Sequence, residues 1–220
     1  MLKRLHKELN KIRKEILSLG AMVEDRIRLS ISAIESKSEE ISEQIIKTDY
    51  EIDSKEIEIE EECLKVLALH QPVAVDLRFL ISVIKINNEL ERIADMAVNI
   101  AQRVIVIAKK KAIPFVFDYS KMGEKASYML KNSLDALVNL DSDLALRVCA
   151  MDNEVDQLKN EAYDVIKEAI RTHAENVGFF INMLLISRHL ERVADHATNI
   201  AEEVIYLVQG EIVRHGRYHF

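Results

Sequence analysis

ELERIADMAVNIA occupies residues 89–101, and HLERVADHATNIA occupies residues 189–201, one hundred positions later. In both copies the apolar residues fall at three- and four-residue steps, the period of an α-helix. Glu91, Asp95 and Asn99 in the first copy recur as Glu191, Asp195 and Asn199 in the second. Spaced i, i+4, i+8, each trio projects from a single helix face. A helix written twice with the same polar row points to an internal duplication.

The duplication extends well upstream. At an offset of 103, Ser30 aligns with Ser133, Ala33 with Ala136, Asp49 with Asp152, Asp53 with Asp156 and His70 with His173. In the third helix of each half the offset falls to 100, so the second copy lacks three residues between His173 and Phe179. Repeats of this length imply two copies of one folding unit. Helical periodicity predicts six long helices over about 2–35, 38–70, 72–111, 120–140, 141–173 and 176–209. Ser38 suits an N-cap, Pro72 a first helical turn and Gly210 the residue past a helix end. Gly20 sits inside the first apolar stripe, where it costs about 1 kcal/mol against Ala without breaking the helix. The expected fold is all-α, a tandem pair of three-helix bundles. The first repeat covers 1–113 and the second 114–220, with the boundary at 113–118 around Pro114.

Composition agrees. Five glycines and two prolines in 220 residues are too few for a β-rich chain, which needs a turn every 8–12 residues or so. Thirty basic against 37 acidic residues leave a net charge of −7, which argues against nucleic acid as a partner. Cys63 and Cys149 lie within helical patterns and read as buried small hydrophobes in a reducing compartment. The start, MLKRLHKELNKIRKEI, is too charged for a signal peptide. No apolar run approaches the roughly 18 residues of a membrane span. The expected location is the cytoplasm, with any membrane contact indirect.

The acidic rows carry the chemistry. Asp49 and Asp53 are four apart, and their row should meet Glu91, Asp95 and Asn99 at one height, because short-looped neighbouring helices run antiparallel. Asp152 and Asp156 would meet Glu191, Asp195 and Asn199 in the same way. Like charges at i, i+4 repel by a few tenths of a kcal/mol, a cost that a bound cation would offset. Carboxylates with a carboxamide make an all-oxygen site for Mg²⁺, Ca²⁺, Mn²⁺ or iron. The alternative is a solvated acidic stripe paired with Arg92, Arg103 and Arg192. Position i+3 from Glu91 and Glu191 holds Ala94 and Ala194, not the histidine of a di-iron oxidase. His196, beside Asp195, has Met96 as its counterpart and reads as a packed or surface histidine. There is no Gly-rich phosphate loop, strained nucleophile or His-based triad, so the chain is expected not to be an enzyme. A metal-dependent hydrolase or oxidase built on the carboxylates, and a purely structural helical scaffold, are the rival readings.

HQPVAVDLRFL (70–80), the paired ERIADMAVNIA and ERVADHATNIAEEVIYLVQGE, and the tandem layout together resemble the PhoU family, accessory regulators of bacterial phosphate transport, over essentially the full length. The resemblance implies a cytoplasmic, non-enzymatic homodimer that binds a divalent or multinuclear metal, iron foremost, on its acidic faces. It also implies partners: the ATPase subunit of the phosphate ABC transporter and the sensor histidine kinase of the phosphate-starvation response. The second half has no counterpart of PVAVDLR. Asp76 and Arg78 within that segment are read either as an intrahelical pair or as contact residues.

Overall fold

Helix α1 (Leu2–Ser36) buries the stripe Ile12, Ile16, Leu19, Val23, Ile27 and Ile34. Trimming one such side chain to Ala costs about 2–5 kcal/mol. The structure is a computed structural model that describes residues 2–110 and 113–213. Lys37 ends the first helix in left-handed backbone (φ 50°). Ser38 then caps α2 (Glu39–Lys47), its hydroxyl accepting from the Ile41 N–H at 3.2 Å. The same punctuation recurs 103 residues later. Leu140 is left-handed (φ 52°), and Asp141 caps α6 (Ser142–Thr172) by accepting from the Leu144 N–H at 2.9 Å. Ser30 and Ser133 are also equivalent: both are buried, donating to the carbonyls three residues back.

The second expected helix is broken in two. The span expected to run unbroken over 38–70 is interrupted at Thr48–Asp49, giving α2 and then α3 (Tyr50–His70). The cause is the buried Arg26 of α1. Its guanidinium donates to the Ile45 carbonyl (2.9 Å), the Thr48 carbonyl (3.2 Å) and the Thr48 hydroxyl. It thus satisfies carbonyls that a helix end leaves without partners. At the 103 offset Arg26 becomes Met129, which cannot donate, and α6 runs through.

The next helix starts later than Pro72. Pro72 is buried in a turn between Gln71 (φ 46°) and an extended Val73, and α4 (Ala74–Ala108) begins with Ala74 at φ 49°. A proline bars right-handed helix from the residue before it, so the break falls ahead of the ring. The helix closes at Ala108, before the expected end at Lys111, which itself lies outside the described residues. The stretch 113–118 is not a loose linker. Lys37 donates to the Ile113 carbonyl at 3.0 Å and lies 4.4 Å above the Phe115 ring. Tyr119 is buried, donates to the Met183 carbonyl at 2.6 Å and packs edge-on to Phe115 and Phe117.

After α5 (Ser120–Asn139) and α6, a 3₁₀ turn (Ala174–Asn176) leads into α7 (Val177–Gln209). That helix closes on the left-handed Gly210 (φ 79°), as expected, with the Gly210 N–H bonded to the Tyr206 carbonyl at 2.9 Å. The tail, expected to be irregular, has no helix over 210–213, and the rest of it lies outside the described residues. Among the described residues there is no strand.

α1, α2–α3 and α4 form one three-helix bundle, and α5, α6 and α7 form the other. The opening segments are their inner helices, packed against each other. Ile93, Ala94, Ala97, Ile100 and Ala101 are buried, as are Val193, Ala194, Ala197, Ile200 and Ala201. The two helices run antiparallel: Lys85, early in α4, meets Glu203, late in α7, while Arg103, late in α4, reaches Asn182, early in α7. A second seam joins α1 to α5. A Cβ at Gly20 would come within 3.0 Å of Leu134, and one at Gly123 within 3.0 Å of Ile31. Gly20 and Gly123 are 103 apart, as are Ile31 and Leu134, so the two contacts are equivalents across a pseudo-twofold axis. A Cβ at either position would make the facing Leu134 or Ile31 side chain give way by a few tenths of an ångström.

Candidate metal-binding faces

With the core stripes of α4 and α7 turned inward, their Glu-x-x-x-Asp rows are left facing α3 and α6. In the first half, Asp49 stands at the α2–α3 break and is half-buried, Asp53 is exposed one turn on, and Glu91 and Asp95 face them from α4. Burial, then the neighbouring Asp53 and Asp95, push the Asp49 carboxyl above its ordinary range against the pull of Arg26. Glu91 is raised by burial, then by Asp95, Asp53 and Glu56. Asp95 is raised by burial and Asp53, while Arg92 and Arg192 oppose. These carboxylates therefore share one field, as the antiparallel register requires.

A fifth acid, unexpected from sequence, joins them. Glu56 is half-buried on α3 and raised by burial, Glu60 and Asp53. Asn87 of α4 holds it, donating to the Glu56 carboxylate (3.0 Å) and carbonyl (2.8 Å). One oxygen of Asp49, Oδ1, is buried without a hydrogen-bond partner. Asn99 donates its amide to the Asp95 carbonyl at 2.9 Å, which leaves its side-chain oxygen as the atom suited to a cation.

The second half keeps the rows but fills them. At the position of Glu56 stands Lys159, whose ammonium lies 2.9 Å from Asp156 and 2.8 Å from Glu191. Those hydrogen bonds hold its pKa above the ordinary lysine range. Asp195 is left with the strain: burial, then Glu191, Asp152 and Asp156, push it up to about 6. Asp152 is raised by burial and Asp156. Asn199 is drawn out of its row, donating to Glu89 of α4 at 3.0 Å.

Glu89 and His196 tie the halves together. His196 is buried, with Nδ1 2.7 Å from the Glu89 carboxylate. Burial would raise the Glu89 pKa, but the hydrogen bonds from His196 and Asn199 and the imidazole charge bring it below the usual range. The expectation of a packed or surface histidine resolves to a packed one. At the position of Glu89 the second half has His189, half-buried, whose pKa burial and then Arg103, Arg192 and Arg188 drive down to about 4; it is neutral at pH 7. Between the halves lies a cleft of about 970 Å³, lined by Glu56, Glu60, Glu89, Asp152 and Glu202 and spanned by the Lys85–Glu203 ion pair.

The donors fit a hard cation in chemistry: all oxygen, mostly anionic, with one buried oxygen unpaired. They are not drawn together. Among the described residues no three carboxylate, imidazole or thiol side chains converge closely enough to hold one ion, so binding requires these side chains to turn inward. None of Arg92, Arg103 and Arg192 forms an ion pair with the row carboxylates: Arg92 donates to Asn88 and Arg103 to Asn182 and Gln102. Cys63 and Cys149 are buried, and burial lifts the Cys63 thiol to about 12, which makes it inert. No ion pair joins Asp76 to Arg78; Arg78 lies against Gly210 at the end of α7. Of the described helices, none is long and apolar enough to cross a membrane.

The family model described as PhoU domain matches this chain twice, over 16–104 and 119–204. The phosphate-specific transport system accessory protein PhoU homologue of Pseudomonas aeruginosa is 35% identical over 209 residues, covering 94% of this chain and 86% of its own. The homologue from Clostridium acetobutylicum is 35% identical over 207 residues, covering 94% of each chain. In three dimensions the chain is similar to the crystal structure of PhoU from Pseudomonas aeruginosa (TM-score 0.90, 34% identity, 94% of this chain and 99% of that one). It is also similar to the phosphate transport system regulatory protein PhoU from Streptococcus pneumoniae (TM-score 0.85, 31% identity, 96% and 99%). By sequence along both repeats, and by fold, the chain belongs to the PhoU family.

Proposed function

We propose that this protein is a cytoplasmic regulator of phosphate uptake, non-enzymatic, acting as a cation-binding adaptor between the phosphate ABC transporter's ATPase subunit and a sensor histidine kinase. Its relatives are named as accessory proteins of phosphate-specific transport, which supports the transport role. The observation that carries the cation reading is the first face. Asp49, Glu56, Glu91 and Asp95 are all held above their ordinary range by burial and by neighbouring carboxylates, despite the pull of Arg26, Arg92 and Arg192, a repulsion that a divalent ion would neutralise. Asp49, Asp53, Glu56, Glu91, Asp95 and the Asn99 oxygen would hold it. Asp152, Asp156, Glu191, Asp195 and Asn199 would form a weaker site. Iron, Mn²⁺, Mg²⁺ and Ca²⁺ all suit oxygen donors; the ion would supply positive charge and open coordination positions for a partner's acidic or phosphate groups. The working assembly is a homodimer, each chain built of two repeats over 1–113 and 114–220.

The test is capture of the ATPase subunit and the kinase by the full chain, with and without chelator and across a salt series. Charge attraction between exposed groups fades as the screening length falls from about 10 Å at 0.1 M to about 3 Å at 1 M, whereas metal-bridged docking survives salt and fails with chelator. Capture that ignores chelator and survives neutralisation of both faces sinks the adaptor reading. Sedimentation of the same preparation checks the dimer.

A further inference from the structure

The tip between α3 and α4 is the place where the two repeats differ most. In the first, QPVAVDLR follows His70; in the second, the three-residue-shorter AENVG follows His173. The extra residues push out a turn whose backbone is left-handed at both Gln71 and Ala74. At this turn Val73 is 76% exposed and Val75 60%, and Ile212, just past α7, is 68% exposed. They are the most exposed aliphatic side chains among the described residues, and all three lie at one end of the molecule. The contact of Arg78 with Gly210 brings the start of α4 and the end of α7 together there.

The start of α1 lies at the same end. Glu8 pairs with His70 at 2.7 Å, and the Arg13 guanidinium lies 5.2 Å from the Phe79 ring centre. Lys3, Lys7, Lys11 and Lys14 are exposed and spaced to share one face of the first four turns. Arg4 and Arg13 add two more cations, and Glu8 is the only acid in residues 3–14. That acid is already paired with Arg4 and hydrogen-bonded to His70. Lys11 is also paired, with Glu62 of α3 at 3.4 Å; beside the tip itself Asp76 is half-buried and Glu211 exposed. A chain of net charge −7 has thus gathered basic residues beside its most exposed aliphatic ones.

The geometry points to this end as a docking surface for an anionic lipid bilayer. A few aliphatic side chains on a protruding turn are too small an area for a stable protein interface, which needs about 800 Å² on each side. They suit shallow insertion among headgroups, where each cation near an anionic surface strengthens binding roughly fivefold. Neither signal suffices alone, and together they give reversible attachment. The second repeat lacks the tip, so attachment would hold the molecule in one orientation, with the first acidic face set at a fixed angle to the membrane. This goes beyond docking on membrane proteins, because it needs the lipid alone.

The experiment is co-sedimentation of the full chain, in chelator, with vesicles of phosphatidylcholine alone or with about one third phosphatidylglycerol. The chain holds no tryptophan, so a V73W variant adds a clean fluorescence reporter. Binding to the anionic vesicles at 0.1 M salt, at least about tenfold stronger than to the neutral ones, with a blue shift of the V73W emission, is expected. The quadruple variant K3E/K7E/K11E/K14E should lose it, and V73D/V75D should weaken it, with circular dichroism confirming that both are folded. Equal or absent sedimentation with the two vesicle types overturns the proposal, as does binding that both variants retain. Capture of an acidic protein patch with no vesicle binding also overturns it.

Discussion

The two acidic faces descend from one repeat and differ at one decisive position. Glu56 makes the first face more negative; Lys159, 103 residues later, puts an ammonium between two of the second face's carboxylates. On the proposed reading the first face would take its cation from solution, whereas the second already carries an ammonium. The same duplicated scaffold can therefore hold one site open to ions and one partly closed, without any change of fold.

The largest effect expected is on the open face. D49N/D53N/E91Q/D95N should lower Mn²⁺ affinity of the first face by ~100-fold or more, since affinity follows the number of charged ligands, and leave the second face unchanged. Without metal the variant should be as stable as wild type or slightly more so, because like-charge repulsion is removed. Equilibrium dialysis and urea unfolding read the two effects.

Next comes the Arg26 anchor, which only the first half has. R26A leaves the Ile45 and Thr48 carbonyls without their donor, a loss of about 1–3 kcal/mol visible as an earlier urea midpoint. M129A at the equivalent site, which is buried but makes no such bonds, should cost only its packing and leave metal affinity alone, whereas R26A should also shift Asp49 and weaken the first face.

The exchange of the decisive residue is smaller. K159E should raise Mn²⁺ affinity of the second face by about tenfold, on the order of 1.4 kcal/mol, and E56K should lower that of the first by a similar factor. Unchanged affinities in both variants would remove the basis of the comparison.

Much of this was legible in the sequence. The offset of 103 shows the repeat, residue type at the breaks shows the caps at Ser38 and Gly210, and helical period with antiparallel pairing shows the facing of Asp53 with Glu91 and Asp95, because all of these are local rules. The α2–α3 break was not legible: it is made by Arg26 reaching in from another helix, 19 residues before the carbonyl it meets at Ile45. The Glu89–His196 bond was hidden likewise, since it joins residues 107 apart. Gly123 as partner of Gly20, and Lys159 in place of Glu56, stood in the same alignment. What hid their meaning was the missing α1–α5 seam and the missing view of which α3 and α6 residues face the rows. The i, i+4, i+8 spacing puts Asn199 in line with Glu191 and Asp195, yet Glu89, from the other half, draws its amide away.

The smallest effect concerns pH. In the metal-free protein Asp195 holds its proton up to about 6, against an ordinary 3.8. The folded state therefore binds that proton more tightly than the unfolded state, and this group's contribution to stability falls as pH rises from about 4 to 6 and stays lost above. D195N should match wild type near pH 4 and exceed it at pH 7.5 by on the order of 1–2 kcal/mol. A gain equal at both pH values would mean that Asp195 does not carry the repulsion of the second face.

The inequality of the faces is tested most directly by calorimetric titration of metal-free wild type with Mn²⁺, beside K159E and D49N/D53N/E91Q/D95N. Two classes of site should appear, differing at least about tenfold, the tight one absent from D49N/D53N/E91Q/D95N and the weak one tightened in K159E. A single class of equal sites, or a tight class that survives loss of the first-face carboxylates, would contradict the account.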